Sequence, residues 1–80
     1  MNAKEKPDTL FLVSRVDFCD GKRDVLVITG VSPGTADKAH HAHKREVSEF
    51  WDGFKRAISG QYQAFADFFD ALEACERWKD

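Results

Sequence analysis

A small single α+β domain, a β-hairpin followed by two helices, is the fold this 80-residue sequence predicts. Three observations predict it: period-two alternation in the first third of the chain, an Asp-Gly dipeptide after the first such run, and apolar residues at helical spacing from residue 35 onward. The length allows one domain with a small core. Hydrophobic residues make up 42%, and 7 Phe with 2 Trp supply the large apolar area that disordered chains lack.

Residues 1–8, MNAKEKPD, are polar, contain Pro7 and have no period, so they read as a flexible leader before a domain at 9–80. The run TLFLVSRVDFC at 9–19 reads as the first strand. Alternation sets Leu10, Leu12, Val16 and Phe18 on its better core face, with Phe11 and Val13 opposite. Asp20-Gly21 opens the turn DGKRD, because glycine accepts positive φ without a Cβ penalty. The second strand returns over about 25–31, and its register has two solutions. A two-residue loop sets Val25, Val27 and Thr29 beside the Leu10 face, a longer loop sets Leu26 and Ile28 there, and a slip of one residue exchanges the faces.

Ser32-Pro33-Gly34 ends the strand, Thr35 is a candidate N-cap, and Asp37 suits the positive end of a helix dipole. A first helix over about 35–59 follows. Its inner stripe holds Ala36, Ala39 or His40, His43, Val47, Phe50, Trp51, Phe54, Ala57 and Ile58. Gly53 weakens the middle of that helix by about 1 kcal/mol relative to Ala. Gly60 reads as a stop, and a second helix over about 61–79 carries Tyr62, Phe65, Phe68, Phe69, Leu72, Cys75 and Trp78. The helices are expected to form an antiparallel pair or a bent rod, with the first packed on the hairpin, since a lone hairpin is only marginally stable in water.

Several kinds of chemistry are excluded by residue type and spacing. Gly30-Val31-Ser32-Pro33-Gly34 matches the pattern of a nucleophile elbow, but the residue after that serine must donate a backbone N–H to the oxyanion, and Pro33 has none. His40 and His43 share a helical face while His41 is turned about 100° away, which leaves two imidazoles where a stable zinc site needs three or four ligands. His40 and His43 therefore stand as minority metal candidates, and no cofactor is expected. Cys19 and Cys75 have no Cys-x-x-Cys spacing and read as small buried or half-buried hydrophobes of a reducing compartment. No apolar run is long enough to span a bilayer and the N-terminus lacks the apolar core of a signal peptide, so a cytoplasmic location is expected.

The formal net charge of -2 is unevenly spread. Asp67, Asp70, Glu73, Glu76 and Asp80 face only Arg77 and Lys79 in the last twenty residues, and no segment has the basic excess of a phosphate-binding surface. The acids Asp67, Asp70 and Glu73 recur every three residues and flank the apolar stripe of the second helix. They form a candidate recognition surface for a basic partner. Adjacent aromatics point about 100° apart on a helix, so Trp51 and one of Phe68 and Phe69 are candidate anchors at the edge of the buried stripe. The sequence thus points to a non-enzymatic protein-binding or inhibitory module, acting by steric and electrostatic occlusion, with no direct contact to nucleic acid or membrane. Its rival is a small metal- or ligand-responsive regulator using the His40 and His43 face. A hairpin also leaves open edges, so a homodimer through an edge strand is expected to be accessible.

The DG hairpin, the compact helical part and the acid stripe Asp67, Asp70, Glu73 give the chain a resemblance, in size and style over its whole length, to small phage-encoded inhibitors of bacterial defence such as anti-CRISPR proteins. No sequence motif carries that resemblance. It implies a partner class, a nucleic-acid-binding complex in a host cytoplasm, and assigns no residue a role.

Overall fold

The computed structural model describes residues 9–19, 21–50 and 57–80. The elements run β1 (Leu10–Phe18), β2 (Arg23–Val31), a 3-10 turn (Pro33–Thr35), α1 (Ala36–Phe50), β3 (Ala57–Phe65) and α2 (Phe68–Lys79). The expected hairpin and two helices are present in an α+β domain, and a third strand stands between the helices. The sheet is antiparallel throughout, in the order β2-β1-β3.

Strand β1 is central because it is apolar on both faces. Leu12, Val13, Ser14, Val16 and Phe18 are all buried, and a strand buried on both sides needs a neighbour at each edge and a layer above and below. Its pairing with β2 matches Leu12 with Ile28, Val13 with Val27 and Ser14 with Leu26. This is the longer-loop register, with Leu26 and Ile28 on the Leu12 face. Gly21 takes φ 91 in the connecting turn, as the Asp-Gly signal requires. The register shifts by one residue between Leu10 and Leu12, opposite Gly30 at φ 74, where the positive φ accommodates the extra residue of a β-bulge.

The two helices lie on opposite faces of this sheet and do not form the expected antiparallel pair. On one face, Val13 packs with Ala71, Ala74 and Cys75 of α2, and Phe11, Val25, Val27, Phe65 and Trp78 surround them. Ala71 and Ala74 have no side chain beyond Cβ, which lets the helix backbone approach the sheet closely. On the other face, His40 and His43 of α1 reach Ser14. The chain can place its helices this way because β3 returns across the sheet between them.

Three sequence expectations are corrected. The first helix, expected over 35–59, is described over Ala36–Phe50, and residues 57–65 pair with β1 as a strand, so the second helix begins at Phe68 and not at 61. Backbone groups on the second edge of β1 would otherwise lack protein partners, and β3 supplies them. Thr35 does not cap α1: it lies in the 3-10 turn, where its hydroxyl donates to the Ser32 carbonyl at 3.0 Å. Cys75 is buried as expected, but Cys19 is exposed in the hairpin turn. The expected leader at 1–8, together with Trp51, Gly53 and Phe54, lies outside the described residues. No helix among the described residues is long and apolar enough to cross a membrane.

Candidate functional site

The alternation of β1 puts one polar side chain, Ser14, in the middle of its Leu12 and Val16 face. The inner stripe of α1 is interrupted likewise by His40 and His43, one turn apart. The fold brings these interruptions together. Ser14 Oγ lies 2.8 Å from His40 Nδ1 and 2.7 Å from His43 Nδ1, and His43 Nε2 lies 2.6 Å from Asp24 Oδ2 on β2. Ser14 is 0% exposed, His40 5% and His43 4%, so the chain of four residues replaces a hydrophobic contact at the centre of the α1–sheet interface.

The hydrogen positions follow from what each group can donate. A carboxylate only accepts, so His43 Nε2–H donates to Asp24. With both rings neutral, His43 Nδ1 then accepts the Ser14 O–H, and the remaining lone pairs of Ser14 accept the Nδ1–H of His40. Ser14 Oγ, His40 Nδ1 and both nitrogens of His43 are partnered, and the hydrogen bonds run in one direction from α1 through β1 and back to α1 and β2. Such a buried network fixes the register between helix and sheet, because a shift of one residue would strand its members without partners.

Around His40 the site extends toward β3. The His40 ring lies 4.9 Å from that of Tyr62, tilted by 32°, and the Tyr62 hydroxyl donates to Asp37 Oδ1 at 3.0 Å. His41, exposed, reaches the same Asp37 at 3.4 Å. Helix α1 therefore crosses the sheet obliquely, with Asp37 over β3, His40 over β1 and β3, and His43 over β1 and β2. Gly60 lies directly below His40, where a Cβ would come 2.8 Å from His40 Cε1 and Nε2.

Burial acts on the protonation of His40. His40 titrates below its ordinary 6.5, first because burial disfavours the charged ring, then because of positive charge from His41, His43 and Lys44, with Asp37 opposing. Tyr62 is pushed above its ordinary 10.0, chiefly by its hydrogen bond to Asp37. The unfolded chain thus takes up a proton that folded His40 refuses. The His40 contribution to stability is complete above pH 6.5 and is lost progressively as pH falls below that value. Melting temperature is expected to drop between about pH 7 and about pH 5, and His40→Phe, which keeps a ring against Tyr62, should flatten that slope. An unchanged slope in the variant would assign the acid sensitivity to other groups.

A metal is poorly served here. Both nitrogens of His43 and Nδ1 of His40 are already bonded within the chain, and among the described residues no three His, Cys, Asp or Glu side chains are grouped to hold an ion. Nucleophilic chemistry is equally ill placed. Ser14, His43 and Asp24 have the composition of a triad, but the serine is fully buried, where no substrate reaches its hydroxyl. Beside His43 a groove of about 310 Å³ runs between β2 and α1, lined by Leu26, Ile28, Ala39, Ala42, His43 and Glu46.

The second candidate surface is on α2. Asp67 is the N-cap, its carboxylate accepting from the backbone N–H of Phe69 at 2.7 Å and of Asp70 at 3.4 Å. The first residue of the expected acid stripe therefore has a structural task, while Asp70 and Glu73 project freely into solvent. The apolar stripe expected through Phe68, Phe69 and Leu72, with one of the two phenylalanines at its edge, lies at the surface. Phe68 is 40% exposed, Phe69 76% and Leu72 39%, because the sheet takes the small face of the helix, Ala71, Ala74 and Cys75. Phe68 leans on Phe11 at a ring separation of 5.3 Å, and Phe69 packs on Phe68 at 6.0 Å. On the helix surface Glu73 and Glu76 stand four and seven residues beyond Phe69, so acids border the exposed ring. Trp51, the other anchor candidate, lies outside the described residues.

No protein-family model matches the chain, and no curated protein or solved structure matches it significantly.

Proposed function

We propose that the domain is a non-enzymatic protein-binding module that inhibits its partner by laying α2 over a basic surface. The observation that supports this reading is the exposure of Phe69 beside Phe68 and Leu72, with Glu73 and Glu76 at its border. Aromatic side chains that a fold leaves in solvent as a contiguous group have a transfer free energy to gain on association, and aromatic anchors commonly dominate binding energy. The bordering carboxylates add attraction for a cationic partner, accelerate encounter and reject acidic surfaces. The resemblance in size and style to phage-encoded inhibitors of bacterial defence adds a partner class, a nucleic-acid-binding complex whose basic channel would accept the acidic helix, and a host cytoplasm as the setting.

Phe69→Ala and Glu73→Lys test this reading without disturbing the fold, because neither side chain is buried or caps the helix. Asp67 is left in place, since removing an N-cap destabilises the helix itself. Both variants are expected to melt within about 0.5 kcal/mol of wild type. Each should weaken retention of a stoichiometric partner captured from bacterial lysate by about tenfold or more, and rising salt should weaken wild-type capture as well. Retention that ignores both substitutions and salt would reject α2 as the binding surface.

A further inference from the structure

Among the described residues the sheet has two edges, β2 and β3, and the sequence treats them differently. Edge strand β2 carries Arg23 and Asp24 at one end, the latter tied to His43, and the positive-φ Gly30 opposite a bulge at the other, with Pro33 following. Charges, bulges and prolines are the devices that stop an edge from recruiting another strand. Edge strand β3, Ala57–Phe65, AISGQYQAF, has no charged residue and no proline. Its register with β1 shifts once, at the Ala57 end opposite Asp17 and Phe18; from Ser59 to Phe65 it pairs without a break, and residues 59–64 are all exposed.

We infer that β3 is a self-association edge, and that two copies of this chain pair antiparallel through it to make a six-stranded sheet in the order β2-β1-β3-β3-β1-β2. The sequence of β3 is suited to a two-fold centred on Gln61. That register sets Gln61 against Gln61 of the second copy, Ser59 against Gln63, and Gly60 against Tyr62. No like charges meet. Ser59, Gln61 and Gln63 alternate onto one face, so the seam carries a row of side chains that donate and accept hydrogen bonds to one another. A two-fold normal to the sheet keeps corresponding faces together, so both α2 helices stand on one side of the joined sheet and both α1 helices on the other. A seam of one short strand pair buries less than a standard interface of about 1,600 Å², so the dimer is a weak one that assembles with concentration.

This inference concerns β3 and is independent of the partner proposed for α2. Sedimentation velocity of the full chain, from about ten micromolar to about one millimolar, is expected to show a shift from monomer to dimer. The register makes a sharper demand on paired substitutions. Ser59→Lys with Gln63→Lys creates two repulsive pairs across the seam, whereas Ser59→Lys with Gln63→Glu creates two attractive ones. The first variant should dissociate the dimer by about tenfold relative to the second at low salt, and the difference should vanish at high salt. Both positions are exposed, and far-UV circular dichroism checks that both variants retain the fold. Phe69→Ala should leave the dimer intact. A wild-type chain that stays monomeric over the whole range overturns the inference, as does equal association of the two paired variants or loss of the dimer in Phe69→Ala, which would move the contact to α2.

Discussion

Ser14→Ala is expected to destabilise the domain by about 2–4 kcal/mol, far more than the loss of one oxygen atom suggests. The substitution removes the shared partner of two buried rings, leaving His40 Nδ1 and His43 Nδ1 without hydrogen bonds in a site closed to solvent. Each buried group left unsatisfied costs about 1–3 kcal/mol. At roughly 4–8 °C per kcal/mol for a domain of this size, the melting temperature should fall by ten degrees or more. The asymmetry of hydrogen-bond energetics supplies a second readout. Replacing the whole set with apolar side chains, Ser14→Ala with His40→Phe and His43→Leu, should recover a large part of the loss, because no buried polar atom is then left without a partner. A single Ser14→Ala variant that melts within about 0.5 kcal/mol of wild type would show that the chain of hydrogen bonds contributes nothing net.

Gly60→Ala is expected to destabilise by about 2–3 kcal/mol, reversing the usual sign. A glycine inside a strand ordinarily costs stability, so alanine there is favourable by roughly 0.5–1 kcal/mol. At this position the added Cβ would meet His40 Cε1 and Nε2 at 2.8 Å and the Arg15 carbonyl oxygen at 2.9 Å. His40 cannot swing away without breaking its bond to Ser14, and the Arg15 oxygen belongs to the central strand, so the backbone must shift. In the His40→Ala background the cost of Gly60→Ala should therefore shrink but not vanish, since the contact with Arg15 remains. Equal stability of Gly60→Ala and wild type in chemical denaturation would place β3 and α1 farther apart than described.

Both effects trace to features that were partly legible beforehand. The stripe of β1 and the stripe of α1 each contain polar residues where periodicity calls for apolar ones, Ser14 in the first and His40 and His43 in the second. Two matching interruptions, on elements expected to pack together, are a signal that polar groups meet in the core. Asp24 carried no such signal, because it lies in the polar turn region of the sequence and joins the set only through the strand register. That register was open from sequence, since a one-residue slip exchanges faces and the turn chemistry alone allowed both loop lengths.

The third strand was hidden by a coincidence of patterns. Residues 57–65 contain apolar side chains that satisfy a helical period when read with their neighbours, and Gly60 resembles a helix stop. Its actual role is to admit His40 at close range. The clue lay elsewhere, in β1, where Phe11 and Val13 make the second face apolar at its start. A strand with two buried faces calls for layers on both sides, and the two helices could then not be side by side.

The sequence by itself determined the α+β class, the Asp-Gly hairpin, the presence of a helix after Pro33 and another ending the chain, and the acidic character of the last segment. Those follow from local periods, turn chemistry and composition, which act between residues close in sequence. The tertiary structure decided the third strand, the placement of the helices on opposite faces, the pairing of Ser14 with His40 and His43, and the exposure of Phe68, Phe69 and Leu72. Each depends on which long-range contact wins a competition: α2 presents Ala71, Ala74 and Cys75 to Val13 because small residues allow close packing, and the phenylalanines are left outside.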